Sequence, residues 1–394
     1  MVTITGILNA SRSIKPFIHK TPLIYSASFS KLTGAEVYLK AENLQKTGSF
    51  KVRGAFNKIQ SIHGGSVIAA SMGNHAQAVA YAAGKLGIAA TIVMPVITAT
   101  VKQEATTGYG AKVLLHGETF DEALDYALSQ TGYTFIHPFD DDEIIAGQGT
   151  IGLEIIDDLD NIDLLFVPVG GGGLIAGISI AVKSHLPAAS IIGVQAFSAP
   201  SAYRSLKSKT IQAVQPSSTL ADGIAVGRIG ERPFEIISRH VDHIRLVSEE
   251  VIAEAMLLFL ERKKLVVEGA GAVSLATLLE HKEDLRGKRV VLVVSGGNVD
   301  FTLMDRIIRK GLIVSGKIGI FEVVADDVPN SLHTLTGVLA SHRSNILNVV
   351  HDRLAADLPL GKARVIFIVE TRGRKHLEDI INDLNIKGYE VKKK

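Results

Sequence analysis

Four short motifs carry residues that could do chemistry, and the first contains a lysine in apolar surroundings. Lys51 stands between Phe50 and Val52 in the run Gly48–Ala55, where small residues indicate the start of a helix. Apolar neighbours withdraw a lysine amine from water, which lowers its pKa and makes it a nucleophile able to form a Schiff base. The alternative is an ordinary exposed lysine that caps a helix.

The second motif is the turn Ser71-Met72-Gly73-Asn74-His75, which directly follows the apolar strand Val67–Ala70. A strand that runs through such a turn into a helix presents backbone N–H groups and an amide at the helix N-terminus. That is a natural site for a carboxylate or phenolate oxygen. In the plainer alternative, Asn74 only caps the helix. We interpret His75 as a capping or supporting residue rather than as a base.

The third motif is a glycine loop, which follows the apolar run Leu164–Val169 and consists of Gly170, Gly171, Gly172 and Gly173 before Leu174. Glycines let the main chain approach an anion closely, and the next helix adds its dipole, so the loop predicts a phosphate site. The pattern Gly171-x-Gly173-x-x-Ala176 also fits a dinucleotide fingerprint and keeps a nicotinamide enzyme open as an alternative. Such an enzyme needs an acidic residue after the next strand, where this chain has Gln195.

The fourth motif, Ser295-Gly296-Gly297-Asn298, follows the apolar strand Arg289–Val293. A serine hydroxyl at a strand end can donate to a ring nitrogen or accept from it. Alone, the segment is more typical of a plain turn. All four motifs thus stand where a predicted strand gives way to a turn or a helix.

Short β-branched runs alternate with longer helical runs from about residue 35 to residue 300. This alternation predicts an α/β fold with largely parallel, open, doubly wound sheets. Ligands of such sheets lie at the carboxyl ends of the strands, which is where the motifs fall. The predicted strands are Glu36–Lys40, Val67–Ala70, Ala90–Met94, Lys112–Leu115, Leu164–Val169, Ser190–Val194, Ile244–Val247 and Arg289–Val293. The predicted helices are His75–Leu86, Phe120–Ser129, Gly149–Leu159, Glu249–Glu261 and Val273–Glu280.

Beyond Gly311 the pattern changes to a βαββαβ unit of ferredoxin-like type. Its predicted strands are Lys317–Val324, Ile346–Arg353, Ala363–Glu370 and Tyr389–Val391, and its predicted helices are Asn330–Ser341 and Lys375–Leu384. Two glycines within Lys310–Lys317 indicate a hinge. We therefore expect one domain at residues 1–312, with a smaller subdomain inserted at about residues 50–150, and a second domain at residues 317–394.

Composition favours a protein that handles small metabolites. The 394 residues carry a formal net charge of +2 and include no cysteine. Balanced charge provides no basic surface for nucleic acid or a membrane, and the lack of thiols excludes disulfides and thiol catalysis. The uncharged run Leu164–Val182 contains Pro168 and several glycines, so we expect a strand, a loop and a helix rather than a membrane span. Because Met1–Lys15 has no secretory signal, we expect a cytoplasmic protein.

Together, the four motifs in this order resemble those of the fold-type-II pyridoxal-phosphate enzymes, and most of all the branch of threonine dehydratases and serine racemases. Two further segments, Ile145–Thr150 and Thr219–Gly223, also look like that branch. The resemblance covers about residues 5–310. It implies a catalytic domain of two subdomains and pyridoxal 5′-phosphate as the cofactor.

The resemblance implies a role for each motif. Lys51 would carry the cofactor as a Schiff base, with Phe50 beside the ring. Asn74 would bond the ring 3′-oxygen, Ser295 would face the ring nitrogen, and Glu268 matches an acidic residue at the cofactor edge. The phosphate would lie against Gly170, Gly171, Gly172, Gly173 and Leu174. The substrate carboxylate would lie against Ser71, Met72, Gly73, Asn74 and His75.

The implied reaction is α,β-elimination of L-threonine, and secondarily of L-serine, to 2-oxobutyrate or pyruvate and ammonia. Serine racemases place a second serine where this chain has Met72, which cannot transfer protons, so racemisation is disfavoured. Gln195 and Ser201 stand where racemase-like relatives carry acidic metal ligands, and we expect no metal site. Serine racemisation or another fold-type-II β-elimination or β-replacement stays open as the alternative. An NAD-dependent oxidoreductase is a remote one.

The C-terminal unit resembles an ACT domain in the segments Asn345–Leu347 and Val350–Arg353. ACT domains usually bind an amino acid at a domain interface, so the resemblance implies allosteric regulation by an amino-acid or nucleotide effector. Pro329, Asn330 and Asn345 are the candidate effector residues. A dimerisation module without a ligand is the alternative. Relatives with this layout imply a homodimer or homotetramer that acts in amino-acid metabolism, with isoleucine biosynthesis as one setting.

Overall fold

Parallel strands dominate the first part of the chain, as the alternation of strands and helices predicts. The computed structural model describes residues 1–281 and 283–394 and forms two units, Met1–Val299 and Asp300–Lys394. The strands of the first unit are β1 (Leu23–Tyr25), β2 (Glu36–Ala41), β3 (Ser66–Ala70), β4 (Ala90–Met94), β5 (Lys112–Leu115), β6 (Tyr133–Phe135), β7 (Leu164–Pro168), β8 (Ser190–Ala196), β9 (His243–Val247) and β10 (Arg289–Val294).

These strands form two sheets in the first unit. One has the strand order β1-β2-β10-β7-β8-β9 and the other β5-β4-β3-β6. Every neighbouring pair is parallel except β1 with β2, which is antiparallel. The smaller sheet is built from residues 66–135, between β2 and β7 of the larger sheet. The four motifs follow the carboxyl ends of β2, β3, β7 and β10, and the α/β fold class with open parallel sheets is confirmed.

Helices connect the strands of both sheets. They are α1 (Ile4–Ile14), α2 (Ala27–Thr33), α3 (Lys51–Ile59), α4 (Asn74–Leu86), α5 (Thr100–Gly108), α6 (Phe120–Ser129), α7 (Asp142–Asp158), α8 (Gly173–His185), α9 (Ser201–Ser208), α10 (Glu231–His240), α11 (Glu249–Leu258) and α12 (Gly269–Glu280). A π-helical turn, Phe259–Lys263, follows α11, and short 3₁₀ turns occupy Glu42–Leu44, Lys46–Gly48 and Asp222–Ile224.

Two helices begin several residues earlier than the sequence pattern predicts. Helix α7 begins at Asp142 instead of Gly149, because the Asp141 carboxylate caps it by accepting from the Glu143 N–H at 2.9 Å. Helix α12 likewise begins at Gly269 instead of Val273. Glycine weakens a helix in isolation, which hid both starts in the sequence. At Gly149, a Cβ would come within 2.9 Å of the Gly177 carbonyl, so the glycine allows α7 and α8 to pack closely.

The second unit is the predicted βαββαβ arrangement, preceded by one helix. Its elements are α13 (Phe301–Val314), β11 (Ile318–Asp326), α14 (Ser331–Ser341), β12 (Ile346–Asp352), β13 (Lys362–Glu370), α15 (Arg374–Ile386) and β14 (Glu390–Lys393). The sheet order is β12-β13-β11-β14 with every pair antiparallel, which confirms a ferredoxin-like unit. Alternate residues of β11, including Phe321 and Val323, are buried in a core shared with α14 and α15.

Two segments that raised questions in the sequence have regular structure. The uncharged run Leu164–Val182 consists of β7, the glycine loop and most of α8, as expected. Among the described residues, no helix has the length and apolarity that crossing a membrane requires. In the segment Lys310–Lys317, α13 continues to Val314 and the turn follows at Gly316, where φ is +69°.

Candidate active site

Lys51 opens α3, and its amine lies in surroundings that favour its neutral form. Nζ donates a hydrogen bond to the Pro138 carbonyl at 2.9 Å and lies 5.3 Å from the centre of the Phe50 ring. Burial lowers the pKa of Lys51 to about 8, and the nearby Glu268 carboxylate opposes that shift. The apolar surroundings predicted from the sequence are therefore present, and the amine can act as a nucleophile or a base near neutral pH.

The Ser71–His75 turn joins the end of β3 to the first residues of α4. The Ser71 hydroxyl accepts a hydrogen bond from the Gly73 N–H at 3.2 Å, and Met72 lies half-buried between them. The Nε2 of His75 lies 2.8 Å from the Ile136 carbonyl, and burial followed by the charge of Lys51 lowers the pKa of His75 to about 3. His75 is therefore a neutral donor that ties the turn to the end of β6, and the N-terminus of α4 stays open for an anion.

Asn74 and Glu268 face each other across the site. The Asn74 Nδ2 lies 2.8 Å and 3.1 Å from the two carboxylate oxygens of Glu268, which is the N-cap residue of α12. Burial raises the pKa of Glu268 to about 7, while the bond from Asn74 lowers it. The carboxyl group can therefore gain or lose a proton near neutral pH, at a place where the charge of Lys51 also acts on it.

The glycine loop leads from β7 into α8. Gly172 has φ of +95°, a left-handed conformation that a side chain would strain, and a Cβ there would come within 2.8 Å of Pro233. The Gly171 carbonyl accepts from the Gly230 N–H at 3.1 Å, which fixes the loop against the start of α10. The first N–H groups of α8, including those of Gly173 and Leu174, have no partner within a helix. This cradle has the shape and the dipole that a phosphate group needs.

Ser295 follows β10 and lies beside the segment that delivers Lys51. Its side chain is buried, and its carbonyl accepts from the Phe50 N–H at 3.1 Å. Ser49 forms a single antiparallel bridge with Gly296, and its buried hydroxyl has no hydrogen-bond partner among the described residues. The structure thus brings together motif residues from β2, β3 and β10, as the sequence predicted for strand ends.

Sequence reasoning missed one part of this site, the turn after β6. The Nδ1 of His137 accepts from the N–H groups of Phe139 and Asp140, at 3.2 Å and 2.8 Å, and this turn aims the Pro138 carbonyl at Lys51. The Phe139 side chain packs against the glycine loop at Gly171. The missed signal was β6 itself, a strand of only 3 residues. Because β6 pairs in parallel with β3, its carboxyl end had to lie beside the Asn74 turn.

The candidate effector residues lie in the second unit and are only partly assembled. Asn345 lines a surface groove of about 410 Å³ together with His333, Thr336, Gly337, Ala340, Ser344 and Ile346. Its Nδ2 donates to the Glu370 carboxylate at 3.2 Å. Asn330 instead precedes α14 with φ of +77°, and neither it nor Pro329 lines the groove.

The N-terminal unit fits pyridoxal 5′-phosphate by these observations. A partly buried lysine amine matches the aldehyde of the cofactor, and an amide held in a fixed direction matches its phenolate oxygen. A buried serine at a strand end matches the ring nitrogen, and a glycine cradle at a helix N-terminus matches the phosphate. Lysine condensation with an aldehyde and phosphate binding at a helix start are the chemical reasons for the match.

Comparison with known proteins gives the same picture. A family model described as pyridoxal-phosphate dependent enzyme matches residues 14–296. An L-threonine ammonia-lyase of Thermotoga maritima is 48% identical over 399 aligned residues, which cover 100% of this chain and 99% of that protein. An L-threonine ammonia-lyase of Geobacter sulfurreducens is 45% identical, with 99% of both chains covered.

Two solved structures each match about three quarters of the chain. A threonine deaminase of T.th. is 43% identical with a TM-score of 0.73, over 76% of this chain and 99% of that chain. Maize serine racemase is 32% identical with a TM-score of 0.74, over 79% of this chain and 98% of that chain. The alignments with the two L-threonine ammonia-lyases extend over almost the whole chain and so include the C-terminal unit.

Proposed function

The chain belongs to the pyridoxal-phosphate dependent enzyme family, and on that premise we propose that it converts L-threonine to 2-oxobutyrate and ammonia, with L-serine as a secondary substrate. The observation that carries the proposal is the Lys51 amine, whose pKa of about 8 suits it to remove a proton from carbon. Relatives named L-threonine ammonia-lyase that align over the whole chain support the choice of substrate. Family membership removes the nicotinamide alternative.

We propose the following residues as the cofactor site, and the arrangement of their side chains supports the assignment. Lys51 would hold its aldehyde, Asn74 its 3′-oxygen, Ser295 its ring nitrogen, and the loop Gly170–Gly173 with Leu174 its phosphate; Phe50 and Glu268 would flank the ring. When bound, pyridoxal phosphate supplies a carbonyl that captures the substrate amine and a conjugated ring that draws electrons from the α-carbon. Ser295 is neutral, so it does not hold the ring nitrogen protonated as a carboxylate would, and this favours prompt elimination over transamination.

The chain's own residues then handle the substrate. The N–H groups at the start of α4 and the Ser71–His75 turn bind the substrate carboxylate. The Lys51 amine takes the α-proton, and the Pro138 carbonyl orients that amine. Loss of the α-proton and the β-hydroxyl as water leaves an enamine, which hydrolyses to the 2-oxo acid and ammonia. Met72 has no proton to exchange at the position where serine racemases carry their second serine, and this favours elimination over racemisation.

Incubation with L-threonine tests this proposal. We expect the purified protein, loaded with pyridoxal phosphate, to release 2-oxobutyrate and ammonia in equal amounts and to act more slowly on L-serine. Protein stripped of the cofactor is the control and should regain turnover on reloading. Chiral analysis of the serine reaction should find no D-serine. A loaded protein that racemises serine without releasing oxo acid would replace this proposal with a racemase.

The C-terminal residues 317–394 are proposed to be an ACT domain that regulates the enzyme through an amino-acid or nucleotide effector. The groove beside Asn345 supports this proposal, because its volume of about 410 Å³ suits a small metabolite and it combines apolar and polar side chains. We also propose that the enzyme is a cytoplasmic homodimer or homotetramer, as the layout of two domains implies.

Filling the groove should remove regulation while leaving catalysis intact. Gly337 on α14 lines the groove, and no heavy atom lies within 4 Å of a Cβ built there, so Gly337→Leu adds a side chain into open space. Isoleucine, valine, AMP and ADP are the effectors to test on the rate of threonine turnover. We expect at least one to change the wild-type rate, and its half-effective concentration to rise at least about tenfold in Gly337→Leu. The exposed Glu378 of α15 gives the matched control, Glu378→Leu.

Two other results would contradict the proposed effector site in different ways. An unchanged response in Gly337→Leu would show that the effector binds elsewhere. A wild-type protein that responds to none of the four compounds would instead favour a dimerisation module without a ligand.

A further inference from the structure

The segment that delivers Lys51 to the site has an unusual backbone. Thr47 has φ of +60° and Gly48 has φ of +71°, so two successive residues are left-handed just before α3. This left-handed conformation is unfavourable for a β-branched residue such as threonine. Contacts from elsewhere in the fold must therefore hold the turn, and those contacts determine where Lys51 points.

The run after β10 supplies these contacts. The Asn298 Nδ2 donates to the Thr47 carbonyl at 2.8 Å. The Gly297 N–H donates to the Gly48 carbonyl at 2.9 Å. A Cβ at Gly48 would overlap the Asn298 side-chain oxygen, so glycine is required both by the turn and by the closeness of Asn298.

Asn298 also contacts the second cofactor motif. Its Nδ2 lies 2.7 Å from the Oδ1 of Asn74, whose own Nδ2 contacts the Glu268 carboxylate. The Thr47 carbonyl fixes the direction of these hydrogen bonds, because a backbone carbonyl can only accept and the same Asn298 NH₂ group also reaches Asn74. Asn298 must therefore present its NH₂ group, and Asn74 must present its oxygen to Asn298 and its NH₂ group to the site.

We propose that Asn298 is a positioning residue that sets the amide direction of Asn74 and the turn before Lys51 together. One exposed side chain thus orients two groups from different motifs, the donor for the cofactor's oxygen and the amine for its aldehyde. The inference rests on the proposed cofactor roles of Lys51 and Asn74, and it does not depend on which amino acid is the substrate.

Spectroscopy of the loaded protein tests this inference independently of turnover. In Asn298→Ala, we expect the dissociation constant of pyridoxal phosphate to rise about tenfold, the effect of losing a hydrogen bond of moderate strength. We also expect the pH midpoint of the cofactor's visible absorbance to shift, because Asn74 no longer holds its NH₂ group toward the site. Amide hydrogen exchange at Thr47–Lys51 should become faster by about tenfold. The matched control is Asn43→Ala, which removes a nearby amide that donates to the Val266 carbonyl at 3.1 Å.

A double-mutant cycle separates positioning from a general loss of stability. Because Asn298 acts partly through Asn74, Asn298→Ala should shift the spectral midpoint clearly more in the wild-type background than in an Asn74→Ala background, where only the effect on the Lys51 turn remains. Equal shifts in both backgrounds, or none in either, would overturn the inference. The isosteric variant Asn298→Asp also lacks the NH₂ group. It takes the place of Asn298→Ala in the cycle if the alanine variant does not fold. A protein that binds the cofactor but releases no oxo acid would refute the proposed reaction and still allow this test.

Discussion

Replacing Lys51 with alanine is expected to abolish release of 2-oxobutyrate from L-threonine, with kcat falling by roughly 10⁴-fold or more. The amine has two proposed tasks, because it holds the cofactor and removes the α-proton. Among the described residues, no other lysine amine contacts the Pro138 carbonyl or the Phe50 ring. The measurement is steady-state turnover of the loaded protein, together with its visible spectrum. The band of the covalently held cofactor should be missing in Lys51→Ala.

Two further variants sharpen this test. Lys51→Arg keeps a positive charge but cannot release a proton at any accessible pH, so it should be as inactive as Lys51→Ala. Lys58 lies on the same helix and forms salt bridges with Asp141 at 2.9 Å and Glu143 at 3.0 Å. Lys58→Ala is the control and should retain most of the turnover. Turnover of Lys51→Ala within a few-fold of the wild type would show that another group is the base.

The pH dependence of cofactor capture follows from the same amine. Burial lowers the pKa of Lys51 to about 8 from an ordinary value of 10.5, so the neutral form becomes abundant at lower pH than for an exposed lysine. Only the neutral amine attacks an aldehyde, so the rate at which cofactor-free protein gains its visible band should rise with pH, reach half of its maximum near pH 8 and level off above that pH.

The sequence predicts the part of the site that depends on local motifs. Lys51, Asn74 and the glycine loop are recognisable because each consists of adjacent residues whose types determine their chemistry. The parallel sheets then bring the motifs together, since ligands of such sheets lie at the carboxyl ends of strands. The turn at His137–Asp140 could not be found this way, because a strand of 3 residues leaves too little periodicity to detect.

Long-range polar contacts were the other part that the sequence did not reveal. Asn298 belonged to a recognised motif, but nothing in the motif indicates that its side chain bonds Thr47 and Asn74, which are 251 and 224 residues away. Arg53 is a second example. It lies two residues after Lys51 in a recognised motif, but its carboxylate partners come from segments that local patterns cannot pair.

Arg53 is the centre of a buried ionic network behind the Lys51 helix. Its guanidinium makes paired hydrogen bonds to Glu42, both at 2.8 Å, and to Glu154, at 2.7 Å and 2.9 Å. Lys40 donates to Glu154 at 2.6 Å, and two cations therefore balance two carboxylates. The side chains of Arg53, Lys40 and Glu42 have no exposed surface, and that of Glu154 is 14% exposed. Solvent therefore cannot replace a lost partner.

Arg53→Met should lower the free energy of unfolding by about 3–5 kcal/mol, because it leaves Glu42 buried without its main cation. Arg53→Lys should also destabilise, since an ammonium group cannot make paired bonds to two carboxylates at once. Urea denaturation followed by circular dichroism measures both changes. The control is Arg286→Met, which breaks a salt bridge to Asp284 whose side chains are 82% and 62% exposed, and it should leave the free energy of unfolding almost unchanged.

Acidification should narrow the difference in the free energy of unfolding between the wild type and Arg53→Met. In the wild type, burial raises the pKa of Glu42, but the charge and hydrogen bonds of Arg53, with smaller contributions from Lys40 and Thr21, together lower it below its ordinary value. A carboxylate with a lowered pKa stabilises the fold above its unfolded pKa of about 4.3, and this contribution is lost as the pH falls through the folded value. In the variant, only the charge of Lys40 and the hydrogen bond from Thr21 still oppose burial, so we expect the pKa of Glu42 to be raised and its protonation to relieve the variant as the pH falls toward about 4. A difference in stability that stays constant over this range would show that the cost comes from lost packing of the Arg53 side chain and not from the unpaired charge.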